Sequence, residues 1–179
     1  MSEIKNYDTV IIGGGIGGLM AAFRLRKNAP EMRIAITERG NTLEKRHCPA
    51  GKDKTCVHCK TCSITSGYAG AGAFSDGKFN LGTAYGGTLG EELGDDTANL
   101  YIDEVDKILN QYCTSGIPKV YRSNEELKLK CLQNNLRLLD MNVKHLGTDN
   151  NYLTMQNLIN AIAESGTNLF AFYDCVSVE

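Results

Sequence analysis

Apolar runs and glycine breaks over the first forty residues predict one βαβ unit. Thr9-Val10-Ile11-Ile12 is short, apolar and β-branched, the pattern of a central parallel strand buried on both faces. Gly13-Gly14-Gly15-Ile16-Gly17-Gly18 follows at once, and Leu19 to Arg26 is a run of good helix formers. Leu19, Ala22 and Phe23 fall at helical spacing for its buried side. Pro30 ends any continuation, Arg33–Glu38 reads as a second strand, and Arg39-Gly40-Asn41 as a turn. The period then fades from Leu43 to about Gly90, a length of chain that is uncommon without structure and is usually functional. It should be ordered by something it binds. From Asp95 the pattern turns helical, with Asp95 or Asp96 as N-cap and Val105, Ile108, Leu109 and Tyr112 on one face. Ser123-Asn124-Glu125-Glu126 fits a capping box before a helix to about Leu139. Thr154 opens a further helix that Gly166 stops. Asn168–Tyr173 reads as a strand, and Val176-Ser177-Val178 as the start of another.

These elements sum to an α/β fold: one domain over 1–179, with the βαβ unit at 7–40, a Cys- and Gly-rich insertion at 43–90, a helical segment at 95–166 and further strands beginning at 168–179. The length of 179 residues is ample for one core. A net charge of −2 gives no long-range attraction to nucleic acid or to an anionic membrane. The polar start, Met1-Ser2-Glu3-Ile4-Lys5, is not a secretory signal, and no apolar run approaches the ~20 residues of a membrane span. The expected setting is cytoplasmic.

Gly13, Gly15 and Gly18 match G-x-G-x-x-G, which is weak evidence alone in a chain with nineteen glycines. Its setting strengthens it: a buried strand before, a helix after, and a second strand ending in the acid Glu38. Gly13 permits the tight turn, Gly15 lets backbone approach a pyrophosphate, and Gly18 lets the helix close on the sheet. Helix-start amides would hold the phosphates, and Glu38 would accept from the ribose hydroxyls and repel a 2′-phosphate. Spacing alone does not separate FAD from NAD.

Four of the seven cysteines lie between Cys48 and Cys62. Cys48, Cys56, Cys59 and Cys62 are spaced C-x7-C-x2-C-x2-C, with His47 and His58 among them. The C-x2-C-x2-C run is ferredoxin-like and suits a [4Fe–4S] cluster with Cys48 as fourth ligand. A structural zinc, with His58 replacing a thiolate, is a second reading, and reduced thiols packed as small hydrophobes a third. Lys52, Lys54 and Lys60 would offset the charge of the thiolates.

Asp8 to Leu19 together with Glu38-Arg39-Gly40 resembles the glutathione-reductase-type FAD proteins. Gly67-Tyr68-Ala69-Gly70-Ala71-Gly72-Ala73-Phe74-Ser75-Asp76-Gly77-Lys78-Phe79-Asn80, preceded by the cysteines, is similar to a bacterial family of uncharacterised FAD-dependent dehydrogenases, as is His145-Leu146-Gly147-Thr148-Asp149. The resemblance implies a Rossmann-like FAD/NAD(P)-binding domain. It implies ADP held by Gly13, Gly15, Gly18, Glu38 and Arg39, and a loop over the pyrophosphate or flavin. That loop carries Gly70, Gly72, Ser75, Asp76 and Lys78, whose glycines and donors suit an anion nest. Proteins of that family run beyond twice this length, so the chain looks truncated. The expected function is a flavin-dependent oxidoreductase acting on a small-molecule substrate or electron acceptor of unknown identity. The alternative is a non-catalytic dinucleotide- or metal-binding module. No acid–base residue and no oligomeric state can be read.

Overall fold

The computed structural model describes residues 6–51, 55–84 and 86–178. Its elements are β1 (Thr9–Ile12), α1 (Ile16–Asn28), β2 (Ile34–Glu38), short 3-10 turns at Leu43–Lys45 and Ala71–Phe74, β3 (Lys78–Leu81) and α2 (Leu89–Leu93). There follow α3 (Asp95–Asn110), β4 (Val120–Tyr121), α4 (Glu125–Gln133), β5 (Asn142–His145), α5 (Thr148–Glu164) and β6 (Asn168–Ala171). The chain clusters into two compact units, Met1–Phe74 with Met155–Glu179, and Ser75–Thr154. The segment 43–90, expected as a single insertion in one domain, contributes to both units.

The first unit holds a parallel sheet of order β1-β2-β6. The βαβ unit forms where the pattern places it, because each part is specified locally. A β-branched strand, glycines that free the turn and a helix of strong formers need no distant partner to be recognised. Leu19 and Ala22 of α1, and Ile34 and Ile36 of β2, have no exposed surface. Burying a side chain such as Leu19 or Ile36 contributes about 1.5–3 kcal/mol. Leu43, Tyr68, Leu158 and Ile162 complete this core.

β1 departs from its expected central place. Among the described residues it pairs with β2 alone, so it is an edge strand. Val10 and Ile12 stand 51% and 58% exposed. An all-apolar run reads as doubly covered, but nothing in such a run says whether the second neighbour is present. β6 ends at Ala171, short of the expected Tyr173, since Phe172 takes φ +62. Phe172 and Tyr173 donate their amides to the Gly40 and Glu38 carbonyls. Residues 174–178 form no strand.

The second unit is built on an antiparallel sheet of order β3-β5-β4 that the sequence pattern does not show. α3 starts at Asp95 with Gly94 as N-cap, and Asp95 instead accepts from the Thr83 hydroxyl. Its buried positions are Ala98 and Leu109, while Val105 is exposed, so the inward face is rotated from the expected one. That face also carries Asp106 and Asn110, which bind the ammonium of Lys144. Lys144 is 3% exposed, a buried cation on a strand with its counter-charge one helix away.

α4 is capped by Asn124, whose side chain accepts from the Leu127 amide, and not by Ser123, which donates to Asp140. It stops six residues before the expected Leu139 because Asn135 adopts φ +57 and the Leu136 amide reaches back to the Cys131 carbonyl. α5 begins six residues before Thr154, directly after Gly147 at φ +78. Gly166 at φ +93 ends it as expected, with Thr167 donating to the Ile162 carbonyl.

Candidate functional site

The turn between β1 and α1 is held open toward solvent by its glycines and closed toward the core by everything behind it. Gly13 sits at φ +104 and donates its amide to the Thr37 carbonyl. A Cβ on Gly13 or Gly15 would meet no atom within 4 Å. At Gly18 a Cβ would collide with the Gly13 carbonyl, which explains why the helix must start without a side chain there. α1 has Gly15 as N-cap with no side-chain cap bond and no acid in its first turn. Its leading amides therefore face the open side with the positive end of the helix dipole behind them. Gly13 thus makes the tight turn, and Gly18 the close helix–strand contact, that the pattern assigns to them.

Glu38 does something the pattern does not reveal. It is 7% exposed. Its Oε2 accepts the Gly14 amide at 2.8 Å, and its Oε1 accepts the Gly40 amide at 2.8 Å and the Gly67 amide at 2.9 Å. One carboxylate at the end of β2 thus fastens the glycine turn, the turn after β2 and the segment before Tyr68. Tyr68 is 1% exposed and lies against Gly14, where any Cβ would run into its ring. Its hydroxyl donates to the Ile36 carbonyl at 3.0 Å and its amide to the Asn41 carbonyl. Burial, reinforced by the Glu38 charge, pushes its phenol pKa above the ordinary range. The Ala69 amide closes the arrangement on the Gly14 carbonyl.

Arg46 holds the other side of this segment, and no sequence signal marks it among ordinary surface arginines. The residue is buried, at 3% exposure. It donates to the carbonyls of Ser63, Ile64, Tyr68 and Gly70 at 2.7–2.9 Å, and lies 4.6 Å from the centre of the Phe74 ring. Desolvation lowers its pKa, against which the negative Glu38 and Cys62 act. The chain from Ser63 to Phe74 is therefore wrapped around a cation belonging to this protein, which orders much of the stretch expected to need a ligand.

These pieces line a cleft of about 280 Å³ formed by Ile12, Gly13, Gly15, Glu38, Arg39 and Gly67 with their neighbours. Arg39 is exposed at its rim and donates weakly to the Ser66 hydroxyl at 3.4 Å. Gly70 comes close to Gly15, and Gly72 lies in open space. Ser75, Asp76 and Lys78 belong to the second unit. There Ser75 receives hydrogen bonds from Gly77 and Asn151, and Asp76 pairs with Lys78 at 2.7 Å. That pairing lowers the Asp76 pKa.

The four cysteines are not drawn into one ligand set. Among the described residues no group of three or more His, Cys, Asp and Glu gathers in a way that could hold a metal ion. Cys48, Cys56 and Cys59 are exposed free thiols, and Cys62 is partly covered. The Cys62 sulfur instead takes the amide of Ile64, then the amide and hydroxyl of Thr65, and these lower its pKa with help from Arg46. Spacing puts the thiols within reach of a common centre, but the local turn spends Cys62 on its own backbone. Lys52 and Lys54 lie outside the described residues.

A parallel sheet, a glycine turn into a helix and a strand ending in a buried acid define a Rossmann-like dinucleotide-binding fold. Residues 11–58 match the family described as the NAD(P)-binding Rossmann-like domain. Among solved structures the chain is similar to glycine oxidase from Geobacillus kaustophilus, at 15% identity and a TM-score of 0.49, covering 97% of this chain and 48% of that one. Glycine oxidase from Bacillus cereus ATCC 14579 aligns at 13% identity and 0.46, covering 97% and 50%. Thermovibrio ammonificans THI4 aligns at 15% identity and 0.37, covering 92% and 38%. The chain spans half the length of these proteins or less. No curated protein matches it in sequence. No helix among the described residues is long and apolar enough to cross a membrane.

Proposed function

We propose that the cleft at the start of α1 holds the ADP half of FAD, and that the chain is part of a flavin-dependent oxidoreductase. The observation that carries this reading is the open backbone of Gly13 and Gly15 beside uncapped helix amides. A diphosphate is the group that such amides and such space accept. The volume lies just below the usual range for ligand pockets of about 300–1,000 Å³, which suits one half of a dinucleotide better than the whole. Gly13, Gly15 and Gly18 shape the phosphate turn. Arg39 at the rim offers a cation to the adenosine end. Glu38 keeps one oxygen, Oε2, with a single amide partner, and that oxygen has a lone pair to offer a ribose hydroxyl. Arg46 and Tyr68 hold the wall without touching the nucleotide. The resemblance of 8–19, 38–40 and 67–80 to flavoproteins is the ground for FAD over NAD. The flavin, when bound, would supply hydride or electron transfer to a small-molecule substrate or acceptor.

The test is direct. Purified protein, with FAD added and excess removed by gel filtration, should retain the visible absorbance of flavin. Calorimetric titrations should rank FAD above ADP and ADP above NAD. NAD binding as tightly as FAD overturns the flavin assignment, and no binding of any of the three overturns the cleft as a nucleotide site.

A further inference from the structure

A cleft of about 600 Å³ in the second unit lies among β3, α3, the residue after β4 and the start of β5. Its wall is mostly polar, and two of its four charged residues, Glu125 and Asp140, are already paired within the protein. Asp140 accepts from both Ser123 and Lys128, Lys128 also binds Glu125, and Thr83 donates to Asp95. Two opposite charges remain. Among the described residues the side chains of Asp103, on α3, and Arg122, just after β4, have no ion pair or hydrogen-bond partner, yet both line this one cleft. They are not within 4.0 Å of each other, so they do not neutralise one another. Asn99 lies one helical turn before Asp103 on the same face, and Asn142 adds a second amide, while Leu81 and Met141 supply apolar wall.

We infer that this cleft binds a small zwitterion of the α-amino-acid class. Its carboxylate meets the planar fork of Arg122, its ammonium meets Asp103, and its side chain lies against Leu81 and Met141. A guanidinium is the side chain best matched to a carboxylate, and a free carboxylate is the natural acceptor for an ammonium. A simple anion would satisfy Arg122 and leave Asp103 repelling it. A simple amine would do the reverse. Only a ligand carrying both charges uses both groups, and Asn99 and Asn142 can take up the hydrogen bonds left over. The inference does not rest on the nucleotide reading, since every residue named belongs to the second unit.

The test is calorimetry or NMR shift mapping on the full chain with L-leucine, and with 4-methylpentanoate and 3-methylbutylamine as its single-charge analogues. Saturable L-leucine binding should shift resonances of Asn99, Asp103, Arg122 and Asn142. Each analogue should bind about tenfold more weakly or worse. Arg122→Gln and Asp103→Asn should each weaken L-leucine about tenfold, Arg122→Lys less, and neither should change the circular dichroism spectrum, because both side chains are exposed and unpaired. FAD binding should be unaffected in these variants. Absence of L-leucine binding, binding of an analogue as tight as L-leucine, or indifference of L-leucine to either substitution overturns the proposal.

Discussion

The substitution Glu38→Gln tests most sharply what holds the cleft together. The glutamate serves three amides with two oxygens; glutamine has one oxygen and an NH2. In its better orientation the remaining oxygen keeps Gly40 and Gly67, and the NH2 then confronts the Gly14 amide, donor against donor. One hydrogen bond to a charged acceptor is lost, about 1.5–3 kcal/mol, and a buried donor is stranded in addition. The opposite orientation strands two donors and is worse, so about 2 kcal/mol is the floor. Hydrogen exchange by NMR reads the effect where it occurs. Opening that is easier by about 2 kcal/mol speeds exchange about thirtyfold, and it should do so at Gly14 first and at Gly40 and Gly67 to a smaller degree. Amides of α3 and β5, in the other unit, should not change. Urea unfolding followed by circular dichroism should show the same loss in the transition that carries the first unit. Unaltered exchange at all three glycines, with less than about 0.5 kcal/mol lost in urea, would refute the assignment of Glu38 as the fastening group.

Gly15→Ala and Gly18→Ala separate shape from stability. The first adds a methyl to open space and should leave urea stability within about 0.5 kcal/mol of the parent while weakening nucleotide binding about tenfold or more, measured by titration. The second drives a methyl into the Gly13 carbonyl and should cost about 3 kcal/mol or more, seen as a lower urea midpoint. Arg46→Met leaves four carbonyls without their charged donor and should cost about 3 kcal/mol or more, with faster proteolytic cleavage between Ser63 and Phe74 than in the parent. The Asp8 carboxyl is held at about 2 by its hydrogen bonds to Arg33, below its ordinary value of 3.8. A depressed acid stabilises the fold above its unfolded pKa, so this contribution should be whole above about pH 4 and fade as pH falls through about 2. Asp8→Asn should flatten that part of an acid unfolding curve, and an NMR titration of Asp8 with a midpoint near 3.8 would contradict the pairing.

The parts of the molecule that could be read from sequence are those specified within a few residues of themselves. β1, α1 and β2 follow from Val10-Ile11-Ile12, the glycines and Pro30, and the turn at Gly13 and close packing at Gly18 follow from chirality and space. What could not be read depends on partners far along the chain. The Glu38 carboxylate meets amides 24 and 29 residues away, and Gly14 and Gly67 look like any other glycines until they are brought to it. Arg46 gains its meaning from carbonyls 17 to 24 residues later. The second sheet is not legible in the pattern because β3 follows a glycine-rich run and β5, Asn-Val-Lys-His, shows almost no alternation of apolar and polar residues. Its central Lys144 is buried, against the usual bias, because Asp106 and Asn110 compensate it. The inward face of α3 differs from the expected one for the same reason: it includes Asp106 and Asn110, which a purely apolar stripe excludes. The cysteine spacing measured proximity along the chain and could not show that Cys62 would be engaged by Ile64 and Thr65.

On the proposed nucleotide reading, the fastening of three backbone segments by Glu38 restricts how the cofactor preference could change. In many dinucleotide folds the acid at the end of the second strand is the convenient handle for such a change, since it touches only the sugar. Here the same atom positions also support the architecture. Mutational drift toward a 2′-phosphorylated cofactor would first need some other way to satisfy Gly14, Gly40 and Gly67. On that reading preference and foldability are tied together at this one position, and an engineer wishing to alter the former would do better to begin at Arg39, which is exposed at the rim of the cleft with one weak hydrogen bond to Ser66.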